Sequence, residues 1–540
     1  MLLSINIALA AFACSTVNAA GILFSGGTVI AFDRDSESLR VVRNGSVLVQ
    51  DDRITGIFEA GAQPADLPAD TERVEAAGKI ITPGFIDTHR HGWQTAFKTL
   101  ASNITLAEYF VKLSEFVAGD IYSPEDVYIG QLAGLYETLN AGVTTTLDHA
   151  HSTWSDETAS AGLTASIDSG ARVFYAYALH NVPKLITVVD QIPNLEALLQ
   201  KATFSGTPTS LGVAYDYWNV APDTQLVVDL IQQHNISFIT THALTYCAVA
   251  NSPEELQALG ILNGTAAIVF SHASFLTNTG ATLLRQTNQY ISITPESEMH
   301  YGIGDPVSHL IQDQAALGVD THYTFSPDIL TQARIWLQTV RSRLFGIVLD
   351  TWRIPKHNPM SVTQAFLLAT RNGGLALRRD DLGVIAEGAK ADLVVWDGDA
   401  PNMLGWVDPV AAVILHANVG NIEHVLVDGK WKKRDGKLTV KDYDQVKERF
   451  LASARRIQEV YRNQPPVELG PNFNGGSSYA EPLTVDAQRG DGDGYDSDIS
   501  MNNRLPALYV TTVLKVLLDL INFSLRYQQA VVGGNIASAA

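Results

Sequence analysis

The sequence predicts an α/β fold, a distorted (β/α)8 TIM barrel with a small composite β-sandwich domain built from both flanks. Apolar strand-like runs alternate with helical stretches through residues 80–384, which is the pattern of parallel strands joined by helices. Residues 21–79 and 385–435 show instead short apolar runs separated by turn residues, which is typical of antiparallel strands. Several of the apolar runs in residues 80–384 end in a polar residue. The active sites of such barrels lie at the carboxyl ends of the strands.

Eight runs account for the strands of the barrel. The first opens at Phe85, after the break at Pro83-Gly84, and ends in His89-Arg90-His91. The other seven are 144–148, 172–177, 210–215, 238–242, 267–272, 290–294 and 317–320. Eight parallel strands, each followed by a helix, are what this barrel class requires.

The composition is globular, with 46% hydrophobic and 17% charged residues among 540, enough for more than one domain. The chain carries 37 Lys and Arg against 57 Asp and Glu, a formal net charge of −20. This balance disfavours nucleic acid and anionic membrane surfaces as partners. We expect a small-molecule substrate, and homo-oligomerisation stays open.

Residues 1–20 are typical of a secretory signal peptide, because an apolar core leads to a run of small residues at 17–20. The n-region lacks a positive charge, so a buried N-terminal helix is the alternative. Cys14 lies inside this segment, so the mature chain keeps only Cys247 and forms no internal disulfide. Five Asn-x-Ser/Thr sequons fit a secreted glycoprotein, at Asn44, Asn103, Asn235, Asn263 and Asn522.

Three segments follow the second flank. Residues 436–464 contain an amphipathic helix that we expect to pack on the barrel. Residues 465–504 are rich in Gly, Pro, Asp and Ser, which predicts a disordered linker. Residues 505–540 predict an apolar helix and tail, and Lys515 and Asp519 would be costly in a bilayer. We therefore favour packing on the body or on a partner over a membrane anchor.

Five residues at the ends of the barrel runs form a candidate metal site. His89 and His91 project to one face, because residues i and i+2 of an extended strand share a face. His242, His272 and Asp320 end three later runs, and a barrel brings such ends to one mouth. Imidazoles with a carboxylate suit one divalent ion, Zn²⁺ first and Fe²⁺ as the alternative. Such an ion lowers the pKa of a water molecule toward neutrality.

The motif around the first strand resembles that of the amidohydrolase superfamily. It reads Pro83-Gly84-Phe85-Ile86-Asp87-Thr88-His89-Arg90-His91, with Gln94 three residues further on. The closer likeness is to the branch of cytosine deaminases, S-adenosylhomocysteine deaminases and triazine hydrolases. The resemblance covers about residues 21–435. Further segments similar to that branch are 295–299, 302–304, 318–320 and 383–394.

The resemblance implies metal ligation by His89, His91, His242 and Asp320, with His272 as a catalytic group beside the metal. Asp320 would also accept a proton from the attacking water. Binuclear members of the superfamily add a carboxylated lysine at the end of the fourth strand. Residues 172–177 and 210–217 contain no lysine, so the resemblance implies a mononuclear site.

The chain departs from the family pattern at Thr245. Deaminases of this branch carry a glutamate there, three residues after the strand-five histidine, as a proton shuttle. Threonine cannot shuttle a proton at neutral pH as a carboxylate does. Where the family has Ser-Asn after the seventh strand, this chain has Ser297-Glu298. We therefore predict that Glu298, or as second choice Glu296, supplies the missing acid/base, with a surface glutamate in a loop as the alternative.

Five further residues near the strand ends are candidates for substrate contact. Gln94 follows the first histidine pair, and Trp93 and Tyr301 could stack on a planar substrate. His149 and His151 repeat the His-x-His spacing after the second strand. We expect both to line the pocket, with an adventitious ion as the alternative.

Together these features predict a secreted metal-dependent hydrolase that acts on a carbon–nitrogen bond of a small cyclic molecule, either a deaminase or an amidohydrolase. In this mechanism Asp320 takes the water proton and His272 stabilises the developing charge. Two alternatives stay open, a lyase, dehydratase or isomerase on the same metal site, and a non-catalytic binding protein. Fold and ligand set are shared by many chemistries, so they do not name the substrate.

Overall fold

The computed structural model describes residues 21–485 except 63, 65–66, 202–203, 205, 220–221, 245–248, 305–306, 441, 474–475 and 483. The chain divides into two compact units, Met1–Ser477 and Ser478–Ala540, and every element named below belongs to the first. The predicted signal peptide and C-terminal helix lie outside the described residues, as do Thr245 and Cys247.

The strands of the described residues are β1 (Ile22–Asp33), β2 (Ser38–Gln50), β3 (Arg53–Phe58), β4 (Glu72–Glu75), β5 (Lys79–Pro83), β6 (Phe85–Arg90), β7 (Val143–Ala150), β8 (Arg172–Leu179), β9 (Ser210–Tyr215), β10 (Phe238–Leu244), β11 (Val249–Ala250), β12 (Ala267–Ser274), β13 (Tyr290–Ile293), β14 (Ala315–Leu317), β15 (Leu393–Asp397), β16 (Ile422–Val427), β17 (Lys430–Arg434) and β18 (Lys437–Leu438).

The α-helices of the same residues are α1 (Leu106–Lys112), α2 (Glu115–Ala118), α3 (Pro124–Asn140), α4 (Asp156–Ser169), α5 (Val188–Gln200), α6 (Asp223–Gln233), α7 (Pro253–Ala258), α8 (Asn278–Thr287), α9 (Pro295–Tyr301), α10 (Ile329–Leu349), α11 (Val362–Ala369), α12 (Arg371–Ala376), α13 (Pro409–Ala411) and α14 (Tyr443–Arg462). None of them is both long and apolar enough to cross a bilayer.

Both flanks contribute to one nine-stranded sheet, in the order β18-β17-β16-β15-β5-β1-β2-β3, with β4 beside β1. The two flanks meet where β5 and β15 pair antiparallel, with Pro83 opposite Leu393. Phe24, Val47 and Val395 are buried in the apolar core of this sheet. The composite β domain predicted from the two ends of the chain is confirmed.

The second sheet is the barrel, in the order β6-β7-β8-β9-β10-β12-β13-β14, with the short β11 added antiparallel to β10. The eight barrel strands pair parallel. The last strand closes onto the first because the backbone N–H groups of Val319 and Asp320 donate to the carbonyl of His89, at 3.0 and 2.7 Å. The predicted (β/α)8 barrel is confirmed.

The eighth strand, β14, spans Ala315–Leu317, so it begins and ends earlier than the predicted run 317–320. Asp320 then adopts a left-handed backbone conformation, with φ of +66°, which no strand continues. The carboxylate therefore leaves the strand at the barrel mouth.

Helix α14 packs against α3, on the side of the barrel. Arg449 donates to Glu125 at 2.7 Å, and Gln458 donates to the carbonyl of Ala96 at 2.9 Å. The aromatic rings of Tyr461 and Phe97 meet edge to face, with centroids 4.9 Å apart. The helix thereby covers the outside of the segment that follows β6.

Candidate active site

The first pair of candidate ligands lies on and directly after β6. His89 and His91 are both buried, and each directs its Nε2 atom toward the carboxylate of Asp320 at the end of the eighth strand. The distances to Asp320 Oδ1 are 3.4 Å from His89 and 3.1 Å from His91. The first and last strands of a closed barrel are neighbours, so two histidines that lie 231 and 229 positions before Asp320 can share one of its oxygens.

Hydrogen bonds determine which ring nitrogen of His91 and of His242 faces the site. His91 donates from Nδ1 to the backbone carbonyl of His149 at 3.0 Å, and His242 donates from Nδ1 to Asp216 Oδ2 at 2.8 Å. A carbonyl and a carboxylate only accept, so each neutral ring carries its proton on Nδ1 and a lone pair on Nε2. These two Nε2 atoms are 3.3 Å apart. Two lone pairs at that distance repel unless a cation lies between them.

The donor set fits a divalent metal ion. Ligand atoms about 2.1 Å from a tetrahedral ion lie about 3.4 Å from one another, and the separations above match this. Nε2 of His89 is buried without a hydrogen-bond partner, as expected of an atom that binds an ion. Ligand atoms of His89, His242, His272 and Asp320 all lie within 4.8 Å of one another. His91 is also in reach, and which four of the five bind the ion stays a prediction.

Asp320 and His272 share an uncommon backbone geometry. Their φ angles are +66° and +67°, in the left-handed region that non-glycine residues rarely occupy and that clusters at functional sites. Ser297 donates its hydroxyl proton to Asp320 Oδ2. Burial would raise the pKa of the Asp320 carboxyl, but the neighbouring imidazoles of His89, His91 and His272 outweigh it and hold that pKa well below its usual range.

Glu298 lies behind His272 and does not face the substrate cavity. Its carboxylate accepts the backbone N–H of Thr294 at 2.9 Å and lies 3.7 Å from His272 Nδ1. His272 Nδ1 is 2.8 Å from the hydroxyl of Thr294. The structure therefore places Glu298 off the wall of this cavity, because α9 turns the side chain back onto its own N-terminus, and the predicted acid/base role stays a prediction. Glu296 is also directed away, since it accepts a hydrogen bond from Gln332 at 3.0 Å.

Asp216, directly after β9, collects hydrogen bonds from one side of the site. Its carboxylate accepts the backbone N–H of His242 at 2.7 Å and the hydroxyl of Thr241 at 3.2 Å. Nε2 of His149 lies 3.3 Å from Oδ2. Burial would raise the pKa of Asp216, but the two histidines outweigh it and keep the pKa well below its usual range. Asp216 therefore stays ionised and holds His242 with its Nε2 atom toward His91, where an ion would bind.

A cavity of about 490 Å³ opens onto these groups. None of the described residues that line it is a lysine or an arginine, so its charge comes from carboxylates and the imidazoles. Its polar lining consists mainly of His91, Glu115, His151, Asp216, His242, His272 and Asp320. Its aromatic lining consists of Tyr109, Phe110, Phe116, Tyr217 and Tyr301. Rings of this kind suit a planar substrate.

The structure brings two of the five predicted substrate residues, His151 and Tyr301, to the cavity wall. The other three are directed elsewhere. Gln94 lies behind the wall and donates to the hydroxyl of Tyr109 at 3.1 Å. Trp93 is buried, with its ring centroid 4.9 Å from that of Trp154. The cause is a 3-10 helix over Gly92–Phe97, which turns both side chains inward.

His149 is the third predicted substrate residue that does not line the main cavity, because its ring is directed at Asp216. Burial lowers the pKa of His149 to about 4, so the ring is neutral at physiological pH. His149, Asp216 and His242 have ligand atoms within 4.8 Å of one another. The 2.8 Å contact between His242 and Asp216 is a hydrogen bond length, and it favours a positioning role for this second group.

Two carboxylates among the described residues that line the cavity were not predicted from the sequence, Asp216 and Glu115. Asp216 follows the fourth strand-like run, at the strand end where binuclear members carry their lysine. A charged residue at that strand end is the sequence signal that marks it. Glu115 starts the short helix α2 far from any strand end, and no local pattern marks it. Thr245, where the family glutamate is missing, lies outside the described residues.

The sequence of this chain is similar to those of known proteins. A sequence model of the amidohydrolase family matches residues 80–432. A 5-methylthioadenosine/S-adenosylhomocysteine deaminase of Desulfitobacterium hafniense is 26% identical over 415 residues, which cover 74% of this chain and 91% of the relative. A 5'-deoxyadenosine deaminase of Methanothermobacter thermautotrophicus is 24% identical over 434 residues, 77% of this chain and 95% of the relative.

Solved structures show the same fold. An adenosine deaminase of Xanthomonas campestris with bound zinc covers 82% of this chain and 99% of its own, with a TM-score of 0.70 at 18% identity. An atrazine chlorohydrolase of Arthrobacter aurescens complexed with zinc covers 80% of this chain and 100% of its own, with a TM-score of 0.65 at 18% identity. At this level of identity the likeness concerns the fold.

Proposed function

The chain belongs to the amidohydrolase family, and on that premise we propose that it is a metal-dependent deaminase of a nucleoside-like substrate. It would hydrolyse the bond between a ring carbon and an exocyclic amine, with one divalent ion, zinc in the first place. The names of the relatives support the reaction, since they are deaminases of adenine nucleosides and their thioethers. The aromatic lining of the cavity supports a planar ring as substrate.

The observation that carries this proposal is the pair of Nε2 atoms of His91 and His242, which face each other at 3.3 Å while both Nδ1 protons are engaged elsewhere. Only a cation resolves that contact in neutral rings. His89, His91, His242 and Asp320 would hold the ion, as the family pattern implies. When bound, the ion would supply an activated water molecule for hydrolysis.

The residues of the chain itself move the protons. Asp320 has one carboxylate oxygen toward His89 and His91 and the other 3.9 Å from His272 Nε2, so it would lie beside the attacking water and accept its proton. His272 faces the cavity with Nε2 and is held from behind at Nδ1 by Thr294. It would stabilise the charge that develops on the substrate. Glu298, which also contacts this ring, would position it.

A secretory route remains a proposal. It rests on the N-terminal sequence and on the sequons, of which the four in the described residues all have exposed asparagines, Asn44, Asn103, Asn235 and Asn263. An exposed side chain is what glycosylation requires. The mass of the exported protein, shorter by the first 20 residues, is the measurement that checks this route.

Metal content and ammonia release from adenine nucleosides test the proposed function. We expect one zinc or iron ion per chain in the wild-type protein, loss of the ion in His91→Ala and in His242→Ala, and ammonia release that follows the metal. His357→Ala, which removes an exposed histidine, is the matched control and should keep both. Product formed in ¹⁸O-labelled water should carry the label at the reacting carbon.

Three outcomes would contradict the proposal. A metal-loaded protein that releases no ammonia from any adenine nucleoside would refute the deaminase activity. Two ions per chain would refute the mononuclear site. Turnover without ¹⁸O in the product would instead indicate a lyase or isomerase.

A further inference from the structure

Deamination needs a proton for the departing amine, because an amide anion is far too basic to leave. The family glutamate that serves as proton shuttle is replaced by Thr245 in this chain. A different acid must therefore reach the substrate. The carboxyl groups that line the cavity among the described residues are Glu115, Asp216 and Asp320.

Two of these three carboxylates are already engaged. Asp320 lies against His89 and His91, where the ion would bind. Asp216 accepts hydrogen bonds from both the backbone and the ring of His242. A carboxylate that is ionised before the reaction holds no proton of its own for the amine, and the proton that Asp320 takes from water is needed at the ring nitrogen.

Glu115 is the remaining carboxyl, and its position is well defined. It is the first residue of α2, and the indole N–H of Trp154 donates to its backbone carbonyl at 2.9 Å. Its side chain is only 13% exposed and lines the same cavity as His91 and His242. Of the ion pairs among described residues, the carboxylate of Glu115 makes a single one, to His151 at 3.9 Å.

His151 presents a proton to that carboxyl group. The indole N–H of Trp93 donates to His151 Nδ1 at 2.8 Å, so this nitrogen is the acceptor and the neutral ring carries its proton on Nε2. Nε2 is the atom 3.9 Å from Glu115 Oε2. Burial holds the pKa of His151 well below its usual range, which keeps the ring neutral. Trp93 therefore fixes which nitrogen of His151 faces Glu115, at a distance longer than a hydrogen bond.

Burial favours the protonated form of this carboxyl. It raises the pKa of Glu115 above its usual value, although a backbone hydrogen bond and the nearby His91 and His242 act in the opposite direction, and the Asp216 carboxylate adds a smaller increase. A buried carboxylic acid in a cleft is suited to donate a proton near neutral pH.

We propose that Glu115 is the general acid that protonates the leaving nitrogen, in place of the glutamate that the family carries at the position of Thr245. The assignment rests on the proposed function. Water contributes its oxygen and two protons. Asp320 accepts the first proton and passes it to the ring nitrogen. Glu115 gives its own proton to the amino group as the carbon–nitrogen bond breaks, and the remaining hydroxyl proton returns to Glu115 as the carbonyl forms. The products are a ring lactam and ammonia.

A pair of substrates with different leaving groups tests this assignment. A purine nucleoside with an amino group at the reacting carbon needs a proton donor, whereas the analogue with chloride there releases a stable anion. In Glu115→Gln we expect kcat/KM for the amino compound to fall about 100-fold or more, and that for the chloro compound to fall less than about 10-fold. Glu157→Gln, a fully exposed glutamate that also lies in a first helical turn, is the matched control and should change neither.

The outcomes separate the two proposals. Metal content and the thermal midpoint of Glu115→Gln should equal those of the wild type, which shows that the variant is folded and loaded. Equal losses for both substrates would mean that Glu115 only holds the substrate, and would overturn the assignment while the deaminase activity stands. If the wild-type protein turned over only the chloro compound, both the assignment of Glu115 and the deaminase activity would be overturned. The same would follow if metal-loaded protein turned over neither compound.

Discussion

At the scale of single residues, the site depends on which nitrogen each histidine turns toward its neighbours. The ring of His242 is held at Nδ1 by Asp216 at 2.8 Å, and Nδ1 of His89 lies 2.7 Å from the hydroxyl of Ser271. A histidine whose second nitrogen donates to a carboxylate is a better metal ligand, because the tautomer is fixed and the free nitrogen is more basic. Asp216 therefore acts on the ion through His242.

Asp216→Asn should weaken metal binding while the fold is kept. The amide keeps the shape of the side chain but loses the negative charge, so the affinity for zinc should fall about 10- to 100-fold. Competition with a chelator of known affinity measures the change. Asp229→Asn, an exposed carboxylate on α6, is the control. Zinc affinity equal to that of the wild type would show that Asp216 does not position His242.

At the scale of elements, the closure of the barrel brings the ligands together. Strand β14 lies so close to β6 that a Cβ atom on Gly318 would be 2.9 Å from the backbone nitrogen of His89 and 2.6 Å from the hydroxyl of Ser292. Only glycine permits this approach. The same closure carries Asp320 to the two histidines at the end of β6, so packing and ligand geometry are set by one contact.

Gly318→Ala should therefore damage stability and the metal site together. The added methyl group must displace His89 or Ser292, and overpacking of this kind costs about 1–3 kcal/mol. Denaturant unfolding with and without zinc measures both effects. Gly346→Ala is the matched control, because the space around this helical glycine is open and alanine favours a helix. An unchanged unfolding midpoint in Gly318→Ala would contradict this account of the closure.

At the scale of the whole molecule, a buried ion pair joins the flanking sheet to the barrel. Arg172, at the start of β8, donates from Nε and Nη2 to the two carboxylate oxygens of Asp392, at 2.9 and 3.0 Å. Both side chains are only 4% exposed. Asp392 directly precedes β15, so the pair holds the strand that connects the two flanks.

Arg172→Met should destabilise the protein by about 3–5 kcal/mol, because it leaves the Asp392 carboxylate buried without its partner. Guanidinium unfolding measures this loss. The double variant Arg172→Met/Asp392→Asn removes the Asp392 charge as well and should recover much of the stability, because Asp428, the second carboxylate on Arg172, keeps its ion pair with Lys390 at 3.0 Å. Equal destabilisation of the single and the double variant would mean that lost packing, and not the unpaired charge, is the cause.

Local patterns in the sequence determined the barrel, the composite β domain and five clustered residues, His89, His91, His242, His272 and Asp320. Each is a polar residue at the end of an apolar run, and the fold class alone brings such ends to one mouth. Periodicity and strand order are therefore enough to place them.

Only the tertiary structure decided the direction of side chains outside the strands. A 3-10 turn buries Trp93, and α9 turns Glu298 behind His272. The short helix α2 instead brings Glu115 onto the cavity wall. These directions depend on how loops pack against distant elements, such as Trp154 on the carbonyl of Glu115. No periodic pattern in the local sequence encodes contacts of that kind, because packing between distant segments sets them.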